Sequence, residues 1–269
     1  MSRAQTRPSF SPNSISRVLS QNQVRVVYQP IVDIATRKVF AHEALARSDA
    51  GLFKSPPEMF DAAVEQKKCG ELGRRIRTLA VEGCPDVPLF LNVHPAEFAE
   101  HWLVQPDDPI FSHDHRVFLE ITESVPLSHF KLVSHVLREI RGKGIHLVVD
   151  DLGAGYSNLK YIADLAPEFV KLDRELIAGL GGDARLRKLV SSIVRLCTEL
   201  GAQVVAEGIE TADEALASQD AGVGFGQGYF FARPASPPPP VDVAGLAQVL
   251  GVRRRVSNPG FRRRRSRAS

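Results

Sequence analysis

Side chains that carry oxygen atoms recur at the ends of predicted strands along this chain. Each follows a short apolar, β-branched run, and turn or helix signals come after it. Carboxylates are costly to bury unless they are paired or bind cations, and hard divalent cations prefer oxygen ligands. The pattern therefore predicts one rim of a barrel that holds divalent metal ions. The residues concerned are Glu43, Asn92, Glu120, the adjacent pair Asp150 and Asp151, and Glu207.

The elements that must position these side chains alternate between strand and helix. The predicted strands cover 24–29, 38–45, 88–92, 116–121, 145–151, 169–173, 203–206 and 224–231. Predicted helices fall within 55–83, 95–102, 127–141, 158–165, 186–200, 211–218 and 241–250. Few residues separate the first two strands, and a parallel crossover needs about a dozen or more, so an antiparallel hairpin is expected. The remaining alternation indicates an α/β barrel.

Composition indicates one barrel-sized domain. Of 269 residues, 43% are hydrophobic, and the formal net charge is +3, which suits a single globular unit. Residues 253–269 hold eight arginines and no acid, so the rest of the chain carries about −5. We therefore divide the chain into a flexible segment 1–20, a domain 21–252 and a disordered tail 253–269. Contact of that tail with nucleic acid or an anionic membrane surface is the less favoured alternative.

Cysteine usage and the N-terminus bear on the compartment. Cys69, Cys84 and Cys197 show no CxxC spacing, which argues against a disulfide framework or a zinc cluster and favours a reducing compartment. The first twenty residues lack the apolar stretch of a secretory signal. No run approaches the roughly 18 apolar residues of a membrane span.

Short motifs follow one another in a fixed order over residues 21–236. They are YQPI at 28–31, EAL at 43–45 with Arg47, LNVHP at 91–95, EITE at 120–123, DDLGAGYS at 150–157, KLD at 171–173, VAEGIET at 205–211, and QGY at 227–229 with RP at 233–234. In that order they resemble the motifs of the EAL-domain phosphodiesterases, which hydrolyse cyclic di-GMP. Each match alone would also fit a strand-end acid, a helix cap or a surface lysine, and the ordered set favours the family.

The resemblance implies a TIM-like (β/α)8 barrel with one antiparallel strand, in agreement with the predicted hairpin. It also implies hydrolysis of the bacterial second messenger cyclic di-GMP to linear 5′-pGpG, with two Mg²⁺ or Mn²⁺ ions as cofactors. A cytoplasmic homodimer is expected.

Residue roles follow from the same resemblance. The implied metal ligands are Glu43, Asn92, Glu120, Asp150, Asp151 and Glu207. Lys171 would stabilise developing charge beside the attacking water, and Glu207 would orient or deprotonate that water. Substrate contacts are implied for Gln29, Leu45, Arg47, Glu210 and Gln227. Glu123 and Asp173 would fix the neighbouring loop and the lysine.

Two alternatives to the enzyme remain open. One is a receptor that binds cyclic di-GMP without cleaving it and signals to a protein partner; the family's receptors usually lose the EAL glutamate, a metal aspartate or the lysine, and none is lost here. Leu152, Ala154 and Asn158 do depart from the family's commonest loop residues, and Leu152 in place of Phe would loosen the loop's control of the metals. The other alternative is a scaffold that acts through its basic tail.

Overall fold

Eight strands close into a barrel. The computed structural model describes residues 14–20, 22–48, 52–100, 102–122, 130–154 and 159–250. The predicted tail 253–269 lies outside these residues. The strands are β1 (Val24–Asp33), β2 (Lys38–Ser48), β3 (Leu89–Asn92), β4 (Val117–Thr122), β5 (His146–Leu152), β6 (Phe169–Leu172), β7 (Gln203–Ala206) and β8 (Phe225–Gly226), and they neighbour one another in chain order.

Strand β1 is the antiparallel member of the barrel. It pairs antiparallel with β2 from Val24↔Ser48 to Asp33↔Lys38, and antiparallel with β8 on its other side, whereas β2 to β8 are mutually parallel. The four residues between β1 and β2 are too few for a crossover helix. The predicted TIM-like barrel with one antiparallel strand is confirmed.

The barrel interior contains two layers of side chains. The apolar layer consists of Ile31, Ala41, Phe90, Phe118, Val148, Phe169, Val205 and Phe225. Alternate residues of a strand share one face, so the residue two positions away on each strand also faces inward. Those residues form the polar layer: Gln29, Glu43, Asn92, Glu120, Asp150, Lys171, Glu207 and Gln227. On every strand, a step of two residues therefore separates the apolar layer, which forms the floor of the barrel interior, from the polar layer that contains the candidate site.

Phe40 completes the floor through a β-bulge. Ile31 pairs with Ala41 but Val32 pairs with Val39, which leaves Phe40 as the extra residue of β2. Its ring centroid lies 4.8 Å from that of Phe225 and 5.5 Å from that of Phe169, distances typical of favourable aromatic pairs. The bulge thus directs a fifth phenylalanine into the barrel, at the end opposite the polar layer.

Helices cover the outside of the barrel. They are α1 (Ser14–Ser20), α2 (Pro56–Glu65), α3 (Cys69–Gly83), α4 (Phe130–Gly142), α5 (Lys160–Leu165), α6 (Arg174–Ile177), α7 (Ala184–Glu199), α8 (Ala212–Asp220) and α9 (Val243–Val249). Asp183 caps the start of α7, and Val190, Val194 and Cys197 form its buried face. Within the described residues, no helix has the length and apolar character of a membrane span.

Three sequence predictions differ from the structure. Residues 14–20, assigned to the flexible segment, form α1, because Ile15 and Val18 are fully buried. The helix predicted over 95–102 is instead two 3₁₀ helices, Pro95–Ala99 and Trp102–Val104. The last strand ends at Gly226 rather than residue 231, since Gly228 has a φ of 154° and packs against the backbone of Ile209.

His42 links stability to pH. It lies between inward-facing Ala41 and Glu43, so its ring faces the helices, where it is 6% exposed. Neither ring nitrogen has a hydrogen-bond partner among the described residues, and burial lowers the pKa of His42 to about 4.

The unfolded chain protonates this histidine below about pH 6.5 and the folded chain only below about pH 4, so stability falls as pH falls through that window. Between pH 7 and pH 5 we expect the free energy of unfolding of the wild type to fall by about 1–2 kcal/mol more than that of His42→Leu. Urea denaturation at both pH values measures the difference. His135→Gln, on an exposed residue of α4, is the control and should follow the wild type; equal pH dependence in His42→Leu would contradict the assignment.

Candidate active site

The Lys171 ammonium lies among four carboxylates at the centre of the polar layer. Its Nζ is 2.6 Å from Glu120 Oε1, 2.7 Å from Glu207 Oε1, 3.2 Å from Asp150 Oδ1 and 3.3 Å from Glu43 Oε2. The lysine and Glu120 are each about 1% exposed. Strands β2, β4, β5 and β6 supply four of these groups, and Glu207 directly follows β7. The structure therefore brings together, at one point, acidic residues that are separated by up to 164 positions in sequence.

Amide side chains orient Glu43. Asn92 Nδ2 donates to Glu43 Oε1 at 2.8 Å, and Gln227 Nε2 donates to Glu43 Oε2 at 2.5 Å. Gln227 Nε2 also lies 3.3 Å from Gln29 Oε1. Burial raises the pKa of Glu43, but the Lys171 charge and the two amide donors outweigh that effect, so its pKa is below the usual value. Glu43 is therefore held as a carboxylate.

A break in strand register lets two consecutive aspartates face the same cavity. Neighbouring residues of a regular strand point to opposite faces, yet both Asp150 and Asp151 line the cavity. The β5–β6 register shifts between Val149 and Leu152, and Asp151 has a φ of 59°. This left-handed conformation is uncommon for residues other than glycine, although aspartate tolerates it better than most. The local backbone thus aims two carboxylates where a regular strand would aim one.

Burial and like charges raise the pKa of several cluster carboxyls. Burial, opposed by Lys171 and reinforced by Asp150, raises the pKa of Glu207 to about 8. Burial and the Asp150 charge raise the pKa of Asp151 to about 6. The pKa values of Glu120 and Asp150 are also raised, chiefly by burial. One ammonium is therefore too little positive charge for this cluster.

Divalent cations fit this excess of negative charge. The five carboxylates (Glu43, Glu120, Asp150, Asp151 and Glu207) and Lys171 sum to a formal charge of −4, which two divalent ions would neutralise. Oxygen atoms of Asp150, Asp151 and Glu207 lie within 4.8 Å of one another. Glu120 Oε2 is buried and reaches no hydrogen-bond donor among the described residues. The donor set is all oxygen, as hard divalent ions prefer.

A cavity of about 370 Å³ opens above the cluster. Nine of the predicted site residues line it: Gln29, Glu43, Leu45, Asp150, Asp151, Lys171, Glu207, Glu210 and Gln227. Arg174, Gly208, Gly228 and Tyr229 line it as well, although the sequence analysis assigned them no role. The available signal for Arg174 and Gly208 was that each directly follows a predicted strand-end residue, whereas Gly228 and Tyr229 fell inside the predicted last strand.

Other predicted residues lie beside the cavity or outside the described part of the chain. Arg47 does not line the cavity, and its Nη1 donates to the Ala46 carbonyl oxygen at 2.8 Å. Asp173 caps α6 by accepting from Glu175 N at 2.7 Å, which fixes the chain just after Lys171. Leu152 is buried and pairs with Leu172, and Ala154 is exposed. Glu123 and Asn158 lie outside the described residues.

The family model of the EAL domain matches residues 12–234, a range that contains every residue of the cluster. The chain belongs to the EAL domain family. Membership accounts for the position of the EAL tripeptide itself: Glu43 enters the polar layer, Ala44 packs outside the barrel, and Leu45 lines the cavity.

Members of the EAL family with known structures or names are similar over most of this chain. The cyclic di-GMP phosphodiesterase PA2567 of Pseudomonas aeruginosa is 31% identical over 252 residues, 88% of this chain and 43% of that protein. The structure of Klebsiella pneumoniae BlrP1 with calcium and cyclic di-GMP has a TM-score of 0.72 at 30% identity, covering 87% of this chain and 59% of that one. The EAL enzyme Bd1971, bound to cAMP and cyclic di-GMP, has a TM-score of 0.74 at 26% identity, covering 88% and 68%.

The EAL domain is only part of many of these proteins. This chain spans between 28% and 43% of the length of three curated relatives that it matches.

Proposed function

We propose that this EAL domain is a metal-dependent phosphodiesterase that hydrolyses cyclic di-GMP to linear 5′-pGpG. The observation that carries the proposal is the complete cluster: Lys171 among four carboxylates beneath an open cavity, with Asp151 beside them. The similarity to proteins named as cyclic di-GMP phosphodiesterases, and to structures that contain cyclic di-GMP with calcium or manganese, supports the substrate and the cofactors.

The proposed metal ligands are Glu43, Asn92, Glu120, Asp150, Asp151 and Glu207, which would hold two Mg²⁺ or Mn²⁺ ions. Such ions neutralise a phosphodiester and make a bound water more acidic. Asn92 and Gln227 keep the Glu43 carboxylate oriented through their amide donors. Gln29, Leu45, Glu210 and Gln227 face the cavity and would contact the nucleotide, while Arg47 would reach a phosphate oxygen from the end of β2.

Two residues of the cluster are proposed to take part in the reaction, Glu207 at the attacking water and Lys171 at the phosphate. Glu207 accepts the proton of this water, because this carboxylate lies at the mouth of the cluster, 17% exposed, where a water can reach it. Lys171 offers its ammonium to the negative charge that develops on phosphate oxygens. Its contacts with four carboxylates keep it protonated in a fully buried position and hold it in place before the substrate arrives.

We expect hydrolysis to depend on the divalent ion. Purified protein with Mg²⁺ or Mn²⁺ should convert cyclic di-GMP to pGpG, separated by chromatography. Chelation should abolish the product, and added metal should restore it, because the acidic cluster otherwise repels the phosphodiester anion. Glu43→Gln, which removes a charge without changing shape, should be inactive. Product that persists after thorough chelation would contradict the metal-dependent reaction, and saturable binding without product would favour the receptor.

The assembly and compartment are also proposals. Three free, buried cysteines are consistent with the reducing cytoplasm. A homodimer would cover Leu189 of α7 and Leu200 just after that helix, which are 50% and 42% exposed. Sedimentation equilibrium tests the assembly.

A further inference from the structure

Glu97 joins the segment that follows Asn92, a proposed metal ligand, to helix α3. Its Oε1 accepts from the backbone amide of His94 at 3.0 Å, two residues after Asn92. Its Oε2 accepts from Arg77 Nη1 at 2.5 Å, and both of these side chains are 1% exposed or less. One buried carboxylate therefore connects the chain just after β3 with a helix on the outside of the barrel.

Asn92 depends on the chain that follows it, because strand pairing restrains it on one side. It pairs with Glu120 of β4, whereas the β2–β3 register ends one residue earlier, at Ala44↔Leu91. The Asn92 side chain nevertheless has an orienting task, since its Nδ2 donates to Glu43 Oε1 at 2.8 Å. The backbone after β3 therefore contributes to the direction of this amide.

Packing holds the Glu97 carboxylate against α3. A Cβ added at Gly73 would collide with this carboxylate, so the absence of a side chain at Gly73 provides the space for it. His94 and Glu97 form a capping box at the start of the 3₁₀ helix Pro95–Ala99. The His94 ring also stacks on Phe60 of α2, with the ring centroids 5.4 Å apart. The segment after β3 is thus held by contacts with two helices.

The contacts of Glu97 require a carboxylate and not merely its shape. Each of its two oxygens accepts a hydrogen bond, from His94 N and from Arg77 Nη1. Glutamine has a single acceptor oxygen, and its NH₂ group would face one of these two donors. The charge of Glu97 is not needed to balance Arg77, whose Nη2 lies 2.8 Å from Asp108 Oδ2. Glu97→Gln therefore removes a positioning contact while it leaves a neutral buried pair.

We propose that Glu97 is a positioning residue for the metal site. It fixes the backbone after β3 and thereby the Asn92 amide, whose nitrogen holds Glu43 and whose oxygen is left for a divalent ion. The inference rests on the proposed function, because it assumes that the acidic cluster binds divalent ions. Groups that orient a metal ligand affect the affinity for the metal although they do not touch it.

Calorimetric titration of the nucleotide-free protein with Mn²⁺ tests the proposal without relying on hydrolysis. For Glu97→Gln we expect the Kd for Mn²⁺ to rise about tenfold, the low end of the range for groups that support a metal ligand. Turnover of cyclic di-GMP should fall at limiting Mn²⁺. At saturating Mn²⁺ the kcat should return to within about twofold of the wild-type value, because the reacting groups are unchanged. A purely structural role would lower the folded fraction and leave the Kd of the folded protein unchanged.

Asp108→Asn is the matched control. It makes the same change from acid to amide in the same buried network, and it leaves a neutral pair of Arg77 and Glu97. Asp108, however, accepts from Ile110 N at the start of the 3₁₀ helix Pro109–Phe111, away from the segment after β3. Its Kd for Mn²⁺ should therefore equal that of the wild type.

Gly73→Ala provides a second variant that leaves Glu97 in place. The added methyl group occupies the space of the Glu97 carboxylate, so this variant should also raise the Kd for Mn²⁺. It keeps the proposal testable if Glu97→Gln does not fold.

The contrary outcomes are distinct. Binding of Mn²⁺ by the wild type, with the same Kd in Glu97→Gln and Gly73→Ala, would overturn this inference alone. Equal rises in Glu97→Gln and Asp108→Asn would also overturn it, since they would show a general loosening of the buried network. A kcat of Glu97→Gln that stays low at saturating Mn²⁺ would contradict the positioning role. Failure of the wild type to bind Mn²⁺ at all would overturn the metal-dependent function and this inference with it.

Discussion

Replacement of Glu207 by glutamine is expected to lower the turnover of cyclic di-GMP by about 10²- to 10⁴-fold, the contribution typical of a general base. The amide has nearly the same shape, so the contacts that hold the nucleotide remain, but it cannot accept a proton from water. The dissociation constant for cyclic di-GMP should therefore change little. Chromatography of pGpG gives the rate, and calorimetric titration gives the affinity.

The comparison needs a control that separates chemistry from stability. Glu65→Gln, at an exposed position in α2, makes the same change far from the cavity and should leave turnover intact. Full activity in Glu207→Gln would refute the proposed role. A large loss of affinity together with turnover would instead show that Glu207 acts chiefly in holding the metal ions or the ligand.

The second large effect is expected at Arg77, which lies in a buried network outside the barrel. Its Nη2 is 2.8 Å from Asp108 Oδ2, and its Nη1 is 2.5 Å from Glu97 Oε2. All three side chains are 1% exposed or less. Glu97 Oε1 also accepts from His94 N, so the network fixes the chain shortly after Asn92.

Arg77→Met should lower the free energy of unfolding by about 3–5 kcal/mol, because it leaves two buried carboxylates without a counter-charge. Urea denaturation measures the change. Arg74→Met is a matched control three residues away on α3: its ion pair with Asp107 lies at the surface, with Asp107 75% and Arg74 25% exposed, so its loss should cost less than about 1 kcal/mol. Similar losses in the two variants would contradict the argument.

If Arg77→Met does not fold, the triple change Arg77→Met, Glu97→Gln, Asp108→Asn provides a second comparison. It removes all three charges, so it should be more stable than the single change. A triple variant that is less stable than Arg77→Met would show that the network stabilises the fold by more than charge balance.

The sequence contained enough information for the barrel and most of the cluster. The short spacing between the first two strands predicted the hairpin, and the strand-end residues of β2 to β7 predicted the polar layer. The reason is a spacing that is shared by the strands: an apolar residue is followed two positions later by a polar one. Examples are Phe90 with Asn92, Phe118 with Glu120, and Phe169 with Lys171. A period of two places both on the inner face.

Features that depend on backbone irregularity were not predictable in the same way. A regular strand would send Asp151 away from Asp150, and only the register shift with a φ of 59° brings it into the cavity. Phe40 reaches the floor through a β-bulge that the local sequence pattern did not indicate. The last strand was predicted too long, because the close packing of Gly228 on Ile209 is a tertiary contact. Arg174 was missed because its partner Glu210 lies 36 positions later.

The phenylalanine floor of the barrel has a consequence for how ligands enter and leave the cavity. Among the described residues, Phe40 and the apolar layer pack across one end of the barrel, so the cavity above the cluster is closed towards that end by side chains. Under the proposed function, a nucleotide enters and its product leaves by the opening above the cluster. Product release then has to precede the binding of the next substrate molecule, and product competes with substrate for the same opening.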